Sequence, residues 1–173
     1  MGAEIKAQVS SVVQLPLPMT TIKARVRAVL DEYFVSGSLD DAIRDLAELE
    51  GKRPGQEAVK RTLLLALEKK NREKEMASLL LSAMTRVYGS EQFFEGFIRV
   101  LKDIDDVALD NPDVVKYMSN FIARAVVDDV LPPAFFDFVP PRLLEANERV
   151  RSVEAYTQAL LDKHTSTRLM NIC

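Results

Sequence analysis

Residues 97–112 read FIRVLKDIDDVALDNP, and this stretch joins two patterns of regularly spaced apolar residues. On both sides of it, apolar side chains recur at intervals of three and four residues, which is the spacing of a buried helical face. The upstream set is Phe93, Phe97, Val100, Leu101 and Ile104, and the downstream set is Val114, Met118, Phe121, Ile122, Ala125 and Val126. The stretch is therefore predicted to connect two core helices.

The connecting stretch is rich in carboxylates. Its four aspartates are Asp103, Asp105, Asp106 and Asp110. The first three are predicted at the C-terminal end of the upstream helix, where the helix dipole disfavours anions. The fourth is predicted just before a helix that Asn111 caps and Pro112 begins, where a carboxylate can accept hydrogen bonds from free backbone N–H groups. Two interpretations stay open at this point: a solvated acidic turn, or a docking surface for a basic partner.

Helical periodicity continues towards the N-terminus. A first helix over 22–34 is predicted to end at Gly37, and a second over 39–49 is predicted to begin with Ser38 as its cap. A third helix is predicted over 56–68.

A polar hinge, KKNREKE, is predicted to separate this third helix from a fourth over 76–87. Ser90 is then predicted to cap the helix that carries Phe93 and Phe97, which we interpret as core residues rather than a ligand pocket.

Towards the C-terminus, four prolines bracket a short helical segment that contains Phe135, Phe136 and Phe138, and a single long helix is predicted over 143–170. No segment alternates with period two, so we predict an all-α fold. The expected architecture is an atypical HEAT-like stack of about four antiparallel helix pairs.

Composition excludes several functional classes. The formal net charge of -3 and the pI of about 5.3 give no overall positive field for nucleic acid, so direct RNA binding is expected to be weak or absent. No stretch has the length and hydrophobicity of a membrane span, and a monomer without membrane attachment is expected. The single cysteine, Cys173, cannot form an internal disulfide, which favours a reducing compartment, the cytoplasm and also the nucleus.

No motif for catalysis or cofactor binding is present in the sequence. The single histidine, His164, is interpreted as an exposed residue near a helix end, and no phosphate-binding glycine loop or zinc-binding helix motif occurs. The acids of DIDDVALD lack the glycine that an EF-hand loop needs for its sharp turn. The protein is therefore expected not to be an enzyme and to use no cofactor or metal.

Four segments resemble the MA-3 (MI) domain family: FIRVLKDIDDVALDNP, FIARAVVDDVL, EYFVSGSLDDAIRDLAEL and NREKEMASLLLSAM. The similarity covers about 21–170 and is most specific in the ALD-x-P and FIARAV segments. Residues 1–20 are expected to be a linker or an added lead, 21–170 one MA-3 domain, and 171–173 a tail.

The resemblance implies an atypical HEAT fold that binds a DEAD-box RNA helicase, eukaryotic initiation factor 4A, and regulates cap-dependent translation initiation, with inhibition as the expected direction. It places the contact at Asp106 and Asp110, beside the ALD-x-P turn. A close family relative has Glu at the first of these positions, so Asp106 keeps the charge but shortens the reach. The rest of the predicted docking surface is Asp103, Asp105, Leu109 and Pro112.

Two other functions stay open. The first is a general helical scaffold that holds a partner's amphipathic helix in a groove between helix pairs. The second is an RNA-binding helical repeat that would use the basic clusters Lys23, Arg25 and Arg27, and Lys69, Lys70, Arg72 and Lys74.

Overall fold

The computed structural model describes residues 17–49 and 53–172, and these residues form α-helices and short 3-10 segments without any strand. The helices are α1 (Met19–Ser36), α2 (Leu39–Ala47), α3 (Arg53–Leu67), α4 (Asn71–Ala83), α5 (Ser90–Lys102), α6 (Ile104–Asp110), α7 (Val114–Val127), α8 (Pro141–Ala146) and α9 (Glu148–Ile172). The 3-10 segments are Met84–Arg86 and Phe135–Phe138. The all-α prediction is confirmed.

The helices pack in two rows. One row runs from α1 to α3 to α5, and the other runs from α2 to α4 to α7, with α9 packed extensively against α7. The contact between α3 and α5 is especially close, because a Cβ on Gly96 would lie 2.5 Å from Cγ1 of Val59. Stacking of this kind buries a continuous core between neighbouring elements, as in HEAT-like folds. The short helix α6 contacts α5, α7 and α9, so it bridges the end of the first row and the second row.

The predicted beginning and end signals near the N-terminus are confirmed. Gly37 has a φ of 71°, which is the left-handed conformation that glycine adopts without steric cost, and its N–H donates to the Tyr33 carbonyl at 2.7 Å. The Ser38 Oγ accepts from the backbone N–H of Asp41 at 3.3 Å and so caps α2. Gly37 therefore ends α1, and Ser38, the next residue, caps α2.

Two predicted boundaries in the middle of the chain are wrong. α4 begins at Asn71, so most of the KKNREKE segment is the solvated first part of a helix rather than a hinge. Helix α5 is capped at Gly89, because the Gln92 Oε1 accepts from the Gly89 N–H at 2.9 Å, and Ser90 is the first helical residue. In both places polar residues begin or cap a helix, which periodicity alone cannot distinguish from a break.

The predicted single C-terminal helix is also wrong, because Asn147 interrupts it. Asn147 has φ -123° and ψ 111°, and its Oδ1 accepts from the Val150 N–H at 3.1 Å, which caps α9. An asparagine side chain competes with the helical backbone for hydrogen bonds in this way. The chain therefore changes direction between α8 and α9.

The aromatic residues occupy the places predicted for packing. Phe93, Phe97 and Phe121 are buried in the core. The ring of Phe135 is fully buried, and it packs against Phe97 edge to face at a centroid distance of 6.1 Å. The contact between Phe97 and Phe135 packs the short 3-10 segment between α7 and α8 against α5.

Candidate functional site: the acidic helix α6

The acidic stretch forms a helix of its own. Asp103 ends α5 and precedes α6, and Asp105 and Asp106 lie in the first turn of α6. Asp103 is therefore at the C-terminal end of α5, as predicted, but the prediction is wrong for Asp105 and Asp106. They lie at the N-terminal end of α6, where the helix dipole is positive and favours anions. The fully buried Ile104 anchors this new turn to the core.

The predicted position of the fourth aspartate is wrong in the opposite sense. Asp110 is the last residue of α6, where the dipole disfavours a carboxylate, and α7 begins only at Val114. Asn111 does not cap α7; its Nδ2 donates to the Leu67 carbonyl at 2.6 Å. This bond fixes the turn between α6 and α7, which includes Pro112, to the C-terminal end of α3.

Two of the four aspartates are neutralised within the chain. Asp103 Oδ2 lies 3.4 Å from the Nζ of Lys60. Asp105 Oδ1 accepts from Nη1 of Arg149 at 2.8 Å, and its Oδ2 accepts from Nδ2 of Asn147 at 2.9 Å. These two carboxylates therefore hold α6 against α3 and against the junction of α8 and α9.

The other two aspartates have no partner in the part of the chain that the structure describes. Asp106 and Asp110 lie one helical turn apart, are exposed, and form neither an ion pair nor a side-chain hydrogen bond there. Like charges at this spacing destabilise a helix by roughly 0.2–0.5 kcal/mol. The stability of the fold does not account for this pair.

Exposed apolar residues lie close in sequence to the unpartnered carboxylates. Leu109 is 81% exposed, and Pro112 is exposed in the following turn. Asp106 and Asp110 line a groove of about 410 Å³ beside α3, together with Leu64 and other residues. A partner surface would meet both charge and hydrophobic area here.

The arginines that line the same groove are already paired. Arg27 lies 3.2 Å from Asp31, and Arg61 lies 3.1 Å from the buried carboxylate of Glu57. The two arginines therefore leave Asp106 and Asp110 available for cations from another molecule.

The structure brings the six predicted site residues together on α6 and at its two ends, but it also shows three supporting residues that the sequence did not reveal. These are Lys60, Asn147 and Arg149. Asn147 and Arg149 lie 42 and 44 residues from Asp105, and no local pattern signals contacts over such distances.

The basic cluster that starts α4 is used differently. The Lys74 Nζ lies 4.2 Å from the centroid of the Tyr117 ring and donates to the carbonyl of Lys69, and Lys69 in turn lies 5.4 Å from the Phe34 ring centroid. Desolvation lowers the pKa of Lys74, and the negative charge of Glu73 partly offsets that effect. At least two of these cations are therefore engaged within the fold.

Across the described residues, no group of three or more His, Cys, Asp or Glu could hold a metal ion, and no helix there has the length and apolar character needed to cross a bilayer. His164 is exposed on α9, as predicted. A stack of helices that presents unneutralised carboxylates beside exposed apolar surface is typical of a helical-repeat module for protein interaction.

The MA3 domain family matches residues 22–132, and the chain belongs to that family. It is 36% identical over 143 residues to MA3 domain-containing translation regulatory factor 1 of Arabidopsis thaliana, covering 82% of this chain and 20% of that protein. It is 43% identical over 119 residues to factor 4 of the same plant, covering 68% and 19% respectively.

Programmed cell death protein 4 of Mus musculus is 32% identical over 126 residues, which cover 72% of this chain and 27% of that protein. The chain thus spans between 19% and 27% of the length of these curated relatives.

Proposed function

We propose that this chain is a non-enzymatic protein-binding domain of a translation regulator, and that it docks on the DEAD-box RNA helicase eukaryotic initiation factor 4A through α6. The relatives named translation regulatory factors support the general role. One observation supports the docking site: Asp106 and Asp110 are exposed one turn apart on one helix and have no ion pair among the described residues, whereas Asp103 and Asp105 are paired within the chain.

The expected contact is between these carboxylates and arginine or lysine side chains of the helicase, with Leu109 providing hydrophobic contact. Truncating one member of a buried charge pair costs roughly 2–5 kcal/mol, whereas a charge at the rim mostly affects the association rate. We propose that Asp106 and Asp110 lie at the centre of the interface. Removing their charges is therefore expected to shorten the lifetime of the complex strongly.

Docking of this kind would act by differential binding. A DEAD-box helicase must close its two lobes around ATP and RNA, so a domain that binds better to an open arrangement shifts the equilibrium away from the active state. We propose inhibition of cap-dependent initiation as the consequence. The protein would act as a monomer in the cytoplasm, and also in the nucleus, without RNA or membrane contact.

The proposal is tested by removing the two charges while keeping the side-chain shape. In the Asp106→Asn, Asp110→Asn double variant, we expect the binding free energy for the purified helicase, measured by calorimetry, to become weaker by roughly 2–5 kcal/mol. The free energy of unfolding should change by less than about 0.5 kcal/mol, because both side chains are exposed and have no partner in the described part of the chain.

A matched control removes two negative charges elsewhere. Glu32 on α1 and Glu91 at the start of α5 are exposed acids, so Glu32→Gln with Glu91→Gln changes the net charge equally without touching α6. The control should bind almost as well as the wild type. Equal affinities for the two double variants would contradict the docking site, and a wild-type chain that does not bind the helicase would contradict the proposed partner.

A second candidate function rests on an apolar groove between α7 and α9. The groove has a volume of about 510 Å³ and is lined by Val115, Tyr156 and Leu160 among others; Tyr156 is 60% exposed. A scaffold that holds an amphipathic helix would use such a groove. Loss of partner binding in Leu160→Asp, with normal binding by the Asp106→Asn, Asp110→Asn variant, would favour this function over docking through α6.

A further inference from the structure

The carboxylate of Asp105 joins α6 to a part of the chain that lies beyond the region matched by the MA3 family. Its two oxygens accept from Nη1 of Arg149 at 2.8 Å and from Nδ2 of Asn147 at 2.9 Å. Both partners follow residue 132, where the family match ends. We call this set of three residues the brace.

Asn147 has two roles in the brace at once. Its Oδ1 caps α9 by accepting from the Val150 N–H at 3.1 Å, and its Nδ2 donates to Asp105. The residue that separates α8 from α9 therefore also orients α6. A change in the angle between α8 and α9 would be transmitted directly to the acidic helix.

Helix α6 needs such support because it has only seven residues. A helix of that length is not stable by itself, since too few hydrogen bonds offset the cost of nucleation. At its C-terminal end, the bond from Asn111 to the Leu67 carbonyl holds it in place. At its N-terminal end, Asp105 provides the corresponding attachment, in addition to the buried Ile104 and the ion pair between Asp103 and Lys60.

We infer that Asp105 is a positioning residue rather than a partner contact, and that the brace with Asn147 and Arg149 fixes the orientation in which α6 presents Asp106 and Asp110. This inference rests on the proposed docking function. It gives the C-terminal helices a role in recognition, although they lie outside the family match. It also assigns the two faces of α6 different tasks, one towards α9 and one towards the partner.

The direction in which Arg149→Ala changes helicase affinity distinguishes this inference from a purely electrostatic effect. Arg149→Ala removes a positive charge near a surface that binds a basic partner, so charge alone predicts tighter binding. It also frees Asp105, which would add a contact if Asp105 were a partner residue. The brace predicts the opposite result, because an α6 that samples other orientations is less often competent to bind.

We expect Arg149→Ala to weaken helicase affinity threefold to fivefold, a change that corresponds to about the free energy of one exposed ion pair. Amide hydrogen exchange within α6 should become faster in the free protein. The matched control is Arg142→Ala, which removes a nearby exposed charge on α8 that makes no ion pair in the described chain. The control should leave both affinity and exchange unchanged.

A charge swap provides the second test. Asp105→Arg combined with Arg149→Asp restores the ion pair with reversed polarity, so affinity should recover relative to Asp105→Arg alone. If Asp105 contacts a basic partner directly, the swap cannot restore affinity, because an arginine would face that partner.

The outcomes are distinguishable. Unchanged or tighter binding by Arg149→Ala, or no recovery in the swap, would overturn the brace while the proposed function stands. No helicase binding by the wild-type chain would overturn the proposed function, and the recognition role of the brace with it. Unchanged exchange in α6 would overturn the brace without any reference to a partner.

Discussion

The acidic helix α6 and the start of α4 both carry many charged residues, and they use their charges differently. Residues 103–113 carry five acids and no lysine or arginine, whereas residues 68–75 carry four basic and three acidic residues, so their formal charges are -5 and +1. In α4 the cations lie among carboxylates, and Lys74 packs over the Tyr117 ring. In α6, Asp106 and Asp110 have no partner among the described residues.

The comparison teaches that charge density alone does not identify an interaction surface. Charges that are satisfied within the fold contribute to the orientation of helices, and only the remaining ones are available to a second molecule. This difference favours α6 over the basic cluster as the docking surface, and it weakens the alternative of RNA binding through Lys69, Lys70, Arg72 and Lys74.

The largest expected effect comes from reversing charges on each surface in turn. Asp106→Lys with Asp110→Lys should reduce helicase affinity by more than about a hundredfold, because repulsion is added to the loss of attraction. Lys70→Glu with Arg72→Glu should change it by less than about threefold, since a charge at the rim of an interface mainly affects the association rate. Titration calorimetry of both variants checks this.

Retained fold of the reversed α6 should be verified by circular dichroism. Comparable losses of affinity in the two variants would show that both surfaces contribute, and the contrast between α6 and α4 would then be incorrect.

An intermediate effect is expected at Leu109. Leu109→Ala should weaken helicase binding by about tenfold, because burial of a leucine side chain at an interface contributes roughly 1.5–3 kcal/mol and alanine retains part of it. Its exposure of 81% means that the free energy of unfolding should hardly change. Val35, which is 82% exposed at the end of α1, provides the control substitution Val35→Ala, for which no loss of binding is expected. A loss of stability in Leu109→Ala would contradict its assignment as a free surface residue.

The smallest effect is expected for a cation whose charge is used within the fold. Arg124 on α7 donates to both carboxylate oxygens of Glu75 on α4, at 2.9 and 3.0 Å, and to Asp128 at 2.7 Å. Hydrogen bonding to Glu75 is the main cause that raises the pKa of Arg124, and burial opposes it. Arg124→Ala should lower the free energy of unfolding by about 1 kcal/mol, as for a well-formed but partly exposed bridge.

Helicase affinity should stay the same in Arg124→Ala. Urea denaturation and calorimetry measure the two quantities separately. A change in affinity without a change in stability would mean that the surface around Arg124 takes part in recognition.

Much of the fold was predictable because its signals are local. Gly37 and Ser38 mark the boundary between α1 and α2 through backbone conformation and capping, and both are confirmed. The predicted core phenylalanines are buried as well. Boundaries that depend on whether polar residues face solvent, as at the start of α4, were wrong because solvated helical turns and hinges have the same composition.

The candidate site was only partly predictable. The density of aspartates and the resemblance to MA-3 domains indicated the surface, but the positions within it were wrong: Asp105 and Asp106 begin a helix, and Asp110 ends it. The helix dipole therefore favours the carboxylates of Asp105 and Asp106 and disfavours that of Asp110, which is the opposite of what was predicted. The break at Asn147 was not predicted. The Asn147 side chain caps α9 and also donates to Asp105, and the second contact, with a residue 42 positions away, cannot be inferred from neighbouring residues.

The amino-acid sequence by itself determined an all-α chain, the faces that the long helices bury, and an excess of negative charge between residues 103 and 113, since apolar spacing, caps and composition are properties of neighbouring residues. Only the tertiary structure decided which of those charges remain available. An ion pair requires two side chains within about 4 Å. The packing of α9 beside α6 brings Arg149 to Asp105 across 44 residues, while Asp106 and Asp110 have no ion pair within residues 17–49 and 53–172.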